Sequence, residues 1–205
     1  MSVLLTHPIV LASHNPGKLA EFDVLLKPLE LEIVSAAELD LPEPEETGDS
    51  FEANSALKAL ASAQASLLTS LADDSGLCVP ALEDAPGIYS ARWAGPGKDF
   101  APAIARIQRE LRERGIEPEG TAAYFVCVLT LADRDGQLHH MRGEVHGTLT
   151  FPPRGEHGFG YDPIFVADGM QQTFAEITAT EKHAISHRAK ALTLLQRWLA
   201  REQAA

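Results

Sequence analysis

The run Ser13-His14-Asn15-Pro16-Gly17-Lys18 puts a hydroxyl, an imidazole, an amide and an ammonium directly after an apolar stretch, Ile9-Val10-Leu11-Ala12. Where such a turn opens a helix, the free N–H groups of the helix and these side chains can together hold phosphate oxygens. The same letters also make a plain turn, with Asn15 as a helix cap and Lys18 in water. It is not a Walker loop, which requires G-x-x-x-x-G-K-[ST]. Leu19 follows Gly17-Lys18, and Ser13 stands where the first glycine belongs. That departure disfavours a Walker-type phosphotransferase.

Two adjacent carboxylates, Asp73-Asp74, lead into Ser75-Gly76 after another apolar run. Such a pair suits a hard cation such as Mg²⁺, and one member can orient or deprotonate a water. The alternative is an acidic turn. Glu45 and Glu46 sit in the proline-bearing loop Pro42–Gly48 and either join such a cation or are simply solvated. Gly158-Phe159-Gly160-Tyr161-Asp162 sets an aromatic face between glycines and beside a carboxylate. This suits a stacked base with an edge contact, or a turn with core aromatics. Lys182, His183, His187 and Arg188 come just before and into an apolar helix pattern, and Arg188 in a first turn runs against the helix dipole. His139, His140 and His146 match no metal spacing and are expected on exposed strand positions. Phosphate donors, a metal-binding pair, an aromatic platform and base-edge donors together describe a nucleotide site. Hydrolysis is its simplest chemistry.

The elements that must position these groups follow from periodicity. Pro8 to Ala12 reads as a buried strand, Lys18 to about Leu29 as a helix with Pro28 near its end, and Leu31 to Val34 as a short strand. Ser50 is placed to cap a helix from Phe51 to about Ser66. Leu67 to Ala72 reads as a strand leading into a turn at Asp73–Gly76, with a second short strand through Leu77 and Val79. Asp99 to Arg114 has Phe100, Ile104, Ile107 and Leu111 on one face. Ala122 to Leu131 and Gln137 to Thr150 read as hairpin strands around Asp133–Gly136. A last helix runs from about Ser186, its expected cap, to Arg201, and the tail is expected to fray. The early β-α-β alternation predicts parallel pairing and the hairpins predict an antiparallel lobe. The expected class is α/β, with a mixed sheet in one domain of two lobes and the ligand in a groove between them.

The bulk properties bound the function. The chain has 205 residues, 45% apolar and 22% charged, with a formal net charge of −12. That charge argues against a nucleic acid polymer as partner, which demands a basic face, but not against a free nucleotide. No apolar run is long enough for a membrane span, and the first residues lack the basic start of a signal peptide. These features predict a cytoplasmic protein without a membrane partner. Cys78 and Cys127 lie in strand-like runs and are expected to be buried free thiols.

Six segments in order carry a resemblance: LASHNPGKLAEF, EETGDSFEANSALKA, LADDSGLCVPAL, APGIYSARWAG, GFGYDPIF and TATEKHAISHRAKAL. In this series the chain resembles the Ham1/RdgB-type inosine triphosphate pyrophosphatases along nearly its whole length. The resemblance implies hydrolysis of ITP, dITP and XTP to the monophosphate and pyrophosphate with Mg²⁺, by a homodimer. It also implies a long twisted mixed β-sheet flanked by helices in two lobes. Carried over, it puts Ser13, His14, Asn15, Pro16, Gly17 and Lys18 on the triphosphate. It makes Asp74 the catalytic carboxylate and a metal ligand, with Asp73 beside it and Ser75 on the substrate. Glu45 is the expected acidic metal ligand, with Glu46 its rival. Phe159, Gly160, Tyr161, Asp162, Lys182, His187 and Arg188 would hold base and sugar. His14 departs from the [ST]-G-N turn of many members.

On this reading Asp74 positions a water for in-line attack at the α-phosphorus, and Lys18 helps neutralise the departing pyrophosphate. A donor such as Arg188 would pair the 6-oxo group of hypoxanthine or xanthine, whereas adenine's amino group would leave two donors facing each other. Guanine would be rejected through its 2-amino group, against backbone or Asp162. Two alternatives are a Maf-like pyrophosphatase of modified pyrimidine nucleotides or dTTP, and a nucleotide-binding module without turnover.

Overall fold

Among the described residues four helices start at a side chain that accepts a backbone N–H, which satisfies donors a helix end leaves unpaired. The computed structural model describes residues 5, 7–27 and 31–202. β1 (Ile9–Ala12) is wholly buried, and Asn15 then caps α1 (Pro16–Leu26) by accepting from the N–H groups of Gly17 and Lys18 at 3.0 and 3.3 Å. The helix end expected near Pro28 and Leu29 falls outside the described residues, as does the last part of the tail. β2 (Ile33–Ser35) follows and pairs parallel with β1.

The helix α2 (Phe51–Ser66) has the predicted bounds. The Ser50 side chain accepts from Ala53 N–H, and Leu67 ends the helix in a left-handed conformation with φ 61°. The next element departs from the sequence reading. Ser70–Cys78 is one strand, β3, and Asp73–Gly76 lies inside it rather than in a turn. β3 stands between β1 and the next strand in the sheet, and its pairing with β1 runs from Ser70 to Ala72, up to the acidic residues. Gly76 is needed for close approach and not for a turn. A Cβ there would lie 2.3 Å from the Gly87 carbonyl oxygen and 2.5 Å from Ser90 Oγ.

After α3 (Ser90–Trp93), Asp99 caps α4 (Phe100–Glu113), which buries Ala103, Ile104, Ile107 and Leu111. The predicted hairpin forms as β4 (Ala122–Ala132) and β5 (Leu138–Leu149), with Asp133 Oδ1 accepting from Asp135 and Gln137 N–H in the turn. Three elements were not expected, α3 and the two that follow. β6 (Phe165–Ala167) pairs antiparallel with β5. α5 (Ala179–Ile185) is set by a capping box between Thr178 and Glu181. Ser186 closes α5 with an extended backbone, and the last helix, α6, starts one residue later at His187–Glu202.

The sheet order is β2-β1-β3-β4-β5-β6, with parallel pairing of β1 to both β2 and β3 and antiparallel pairing of β5 with β6. The α/β class and the mixed sheet are therefore as expected. The chain divides into two compact units. The first takes the residues up to Asp74, residues 127–143 and the chain from Arg188 onward; the second takes 75–126 and 144–187. Each has its own core: Ile9, Leu11, Phe22, Leu71, Leu129 and Leu195 in the first, Leu77, Ile107, Phe125, Ile164, Phe165 and Phe174 in the second. Cys78 and Cys127 are buried and outside any disulfide, and burial pushes the Cys127 thiol up to about 12. Among the described residues no helix is long and apolar enough to cross a membrane.

Candidate active site

Successive side chains of a strand point to opposite faces, so β3 turns Asp73 and Asp74 apart. Both belong to the first unit and both are buried. Asp73 meets Lys18 Nζ of α1 at 2.9 Å and the Arg188 guanidinium of α6 at 3.5 Å. Arg188 also donates to the buried carboxylate of Glu21. Lys18 and Glu21, three residues apart, share one face of α1. Asp74 meets a different helix: Lys58 Nζ of α2 lies 3.5 Å from Asp74 Oδ1 and 2.5 Å from Glu46 Oε1.

These surroundings drive the two acids apart in proton affinity. For Asp73, burial alone favours the neutral form, but Lys18, Arg188 and Lys58 outweigh it and hold the carboxyl well below the usual range. For Asp74, burial prevails and pushes the carboxyl up to about 6. Lys58 and Lys18 oppose the shift, and the negative charges of Glu46 and Asp73 reinforce it. Burial favours neutral Lys58, yet Asp74, Asp73 and Glu46 hold it charged. A split pair of this kind assigns roles: Asp73 is a fixed counter-ion, and Asp74 is able to take up a proton near neutral pH.

Among the described residues no three His, Cys, Asp or Glu side chains already form a metal set. The donor chemistry nevertheless fits a hard cation. Glu46 and Asp74 converge on one ammonium, that of Lys58, so two carboxylates already share a positive charge. Glu45, the first expectation for a ligand, is exposed on its loop, whereas its neighbour Glu46 reaches the cluster.

The turn before α1 is built from its own polar groups. Asn15 uses its side-chain oxygen as the cap, and Ser13 Oγ accepts from Asn15 N–H at 3.3 Å. Pro16 is the first helical residue, and Gly17 N–H is tied to the cap. His14 Nε2 lies 3.1 Å from the carbonyl oxygen of Leu41.

The second unit holds the aromatic group of candidates. Asp162, buried, accepts from Lys182 Nζ at 2.6 Å and from Phe159 N–H at 2.9 Å. Gly158 takes φ +71° and passes so close that a Cβ would lie 2.1 Å from Asp162 Oδ2. The Lys182 ammonium sits 5.0 Å from the centre of the half-buried Phe159 ring. Tyr161 is a core residue: its hydroxyl donates to the Ser90 carbonyl at 3.0 Å and its ring meets Phe100 edge-on. A Cβ on Gly160 would lie 3.7 Å from the Phe100 ring. His187 stacks on Phe125 at 4.9 Å, and Ser75 is half-buried on β3.

Lys58 and Glu21 were not singled out from the sequence. Their signal is a charge on the buried side of a helix: Lys58 follows Asn54 and Ser55 and precedes Ala59, Ser62 and Ala63, all buried. His140 bonds Thr130, His146 stacks on Tyr124 and His139 on Trp198.

With this geometry in place, the model of the Ham1 family matches residues 9–198. The chain is similar to the dITP/XTP pyrophosphatase of Rhodospirillum centenum, 58% identical over 91% of this chain and 92% of that one. It is also similar to the dITP/XTP pyrophosphatase of Gluconobacter oxydans, 56% identical over 90% of this chain and 87% of that one. The solved structure of a HAM1 protein from Coxiella burnetii matches with a TM-score of 0.85 at 40% identity, covering 94% of this chain and 98% of that one.

Proposed function

The chain belongs to the Ham1 family, and on that premise we propose that it hydrolyses non-canonical purine nucleoside triphosphates, dITP, ITP and XTP, to the monophosphate and pyrophosphate. The names of its relatives, dITP/XTP pyrophosphatases, support the substrate class. The observation that carries the reaction type is Asp74, a buried carboxyl held at about 6 beside two lysines. Its Oδ takes the proton of a water that attacks the α-phosphorus. The α-phosphorus–oxygen bond opposite the water breaks, and pyrophosphate leaves. Lys18 and Lys58 offset the charge that builds on the phosphate oxygens.

Glu46 and Asp74 are the residues to hold Mg²⁺, which when bound neutralises phosphate charge; the ion pair of Glu46 with Lys58 favours it over Glu45. The turn Ser13–Lys18 lies on the triphosphate in this reading, with the Lys18 ammonium as its positive charge, while the Gly17 and Lys18 N–H groups are held by the Asn15 cap. The base stacks on Phe159, where Lys182 offers a donor for a 6-oxo group and Asp162 holds that lysine in place. An adenine amino group would face the same donor. The homodimer and the roles of His187 and Arg188 at base and sugar rest on the family resemblance.

Pyrophosphate release with Mg²⁺ from dITP, XTP, dATP, dGTP and dTTP tests this reading. We expect kcat/KM for dITP and XTP to exceed that for dATP by two orders of magnitude or more, an estimate from the cost of unpaired donors (~10²-fold or above). Equal rates on dATP would refute it, and a preference for dTTP would favour a Maf-like activity. Phe159→Ala should raise KM for dITP by roughly tenfold, since base stacking on an aromatic ring contributes about 1–3 kcal/mol. An unchanged KM removes Phe159 from the base site.

A further inference from the structure

The loop between β2 and α2 carries Glu45 and Glu46 yet has no helix or strand from Leu41 to Gly48. Something else must set where its carboxylates stand. Three side chains hold it, all within the first unit. At the entry, His14 of the phosphate turn bonds the Leu41 carbonyl at 3.1 Å through Nε2. In the middle, Lys58 pairs with Glu46 at 2.5 Å. At the exit, Asn54 Oδ1 accepts from Gly48 N–H at 2.8 Å. The exit is close-fitting: a Cβ on Gly48 would stand 2.7 Å from Asn54 Oδ1 and 2.8 Å from Ala53 Cβ.

Asn54 is fully buried, and its side-chain nitrogen has no hydrogen-bond partner among the described residues. An apolar residue of similar volume would fill the space without burying that N–H. The amide is therefore explained by its bond to Gly48 and not by packing. His14 is explained in the same way. An imidazole in that turn links the residues that would receive phosphate to the loop that would supply a metal ligand.

We infer that His14 and Asn54 are positioning residues for the acidic loop, clamping its two ends so that Glu46 stands beside Asp74 ready to share a divalent cation. The inference rests on the proposed metal-assisted reaction. Groups that orient a ligand to a metal, without touching the metal, typically change affinity about 10–100-fold when removed. The test is Mn²⁺ binding by the nucleotide-free protein, read from the electron paramagnetic resonance signal of free Mn²⁺. His14→Ala is expected to weaken binding about tenfold or more. His14→Gln, which keeps an N–H able to reach the Leu41 carbonyl, should bind within about threefold of the parent, the scatter expected of a conservative swap. Asn54→Ala should weaken binding as His14→Ala does. If Asn54→Ala does not fold, the half-buried His14 pair decides alone. Parent-like Mn²⁺ binding in His14→Ala overturns the inference, and so does a His14→Gln as weak as His14→Ala. Pyrophosphate release by the parent is scored separately: if it is absent while His14→Ala still weakens Mn²⁺ binding, the proposed function falls and the clamp stands.

Discussion

Asp74→Asn is expected to lower turnover of dITP by about a thousandfold, the middle of the range for losing a general base, while making the protein more stable at neutral pH. The two effects have one cause. Burial raises the Asp74 carboxyl from 3.8 to about 6 in the folded chain. Between those values the folded state binds more protons than the unfolded one, so its stability falls as pH rises. A shift of roughly two units corresponds to about 3 kcal/mol, present below pH ~4 and lost as pH rises through about 6. Asparagine stays neutral at every pH and avoids that loss. Thermal midpoints compared at pH 4.5 and pH 8 should show a gain for Asp74→Asn at pH 8 of several degrees, at roughly 2–4 °C per kcal/mol, that shrinks at pH 4.5. A variant that keeps its turnover removes Asp74 from the chemistry. One that is destabilised at pH 8 contradicts the electrostatic account.

Arg188→Met is expected to destabilise the fold more than any other single change considered. The guanidinium is 1% exposed and serves two buried acids, Glu21 and Asp73. Removing one partner from a buried ionic network costs about 3–5 kcal/mol, because the carboxylates left behind stay buried. At roughly 2–4 °C per kcal/mol for a chain of this size, the midpoint should fall by about 6–20 °C. Glu21→Gln in the same chain should restore much of that loss, since it deletes one of the two stranded charges. A double variant as unstable as Arg188→Met would show that packing, and not charge, accounts for the position. The Asp73 carboxyl should also rise in Arg188→Met, because Arg188 is one of the charges that hold it down.

Local chemistry was legible where a signal stays within one element. Ser50 with the alanine-rich run behind it gave α2 its bounds, and Asp99 with the spacing of Ile104, Ile107 and Leu111 gave α4. The reading of Asp73–Gly76 as a turn failed because adjacent acids and a glycine are turn vocabulary in isolation. Only a central position in the sheet makes them strand residues, and that position is set by partners distant in the chain. Lys58 and Glu21 looked like ordinary helix charges for the same reason. Each acquires meaning from a carboxylate or guanidinium far away in sequence: Asp74 for Lys58, Arg188 for Glu21. The choice between Glu45 and Glu46 was also not readable locally, because a loop without regular structure carries no period to say which side chain turns inward. β6 and α5 were too short for periodicity to register.

Hydrolysis of dITP in ¹⁸O-labelled water tests the central claim most directly, that a water held by Asp74 attacks the α-phosphorus. The label should appear in the nucleoside monophosphate and not in the pyrophosphate, and Asp74→Asn should slow its incorporation by about a thousandfold. Label in pyrophosphate, or release of inorganic phosphate and a diphosphate, would place the attack on another phosphorus and contradict the account.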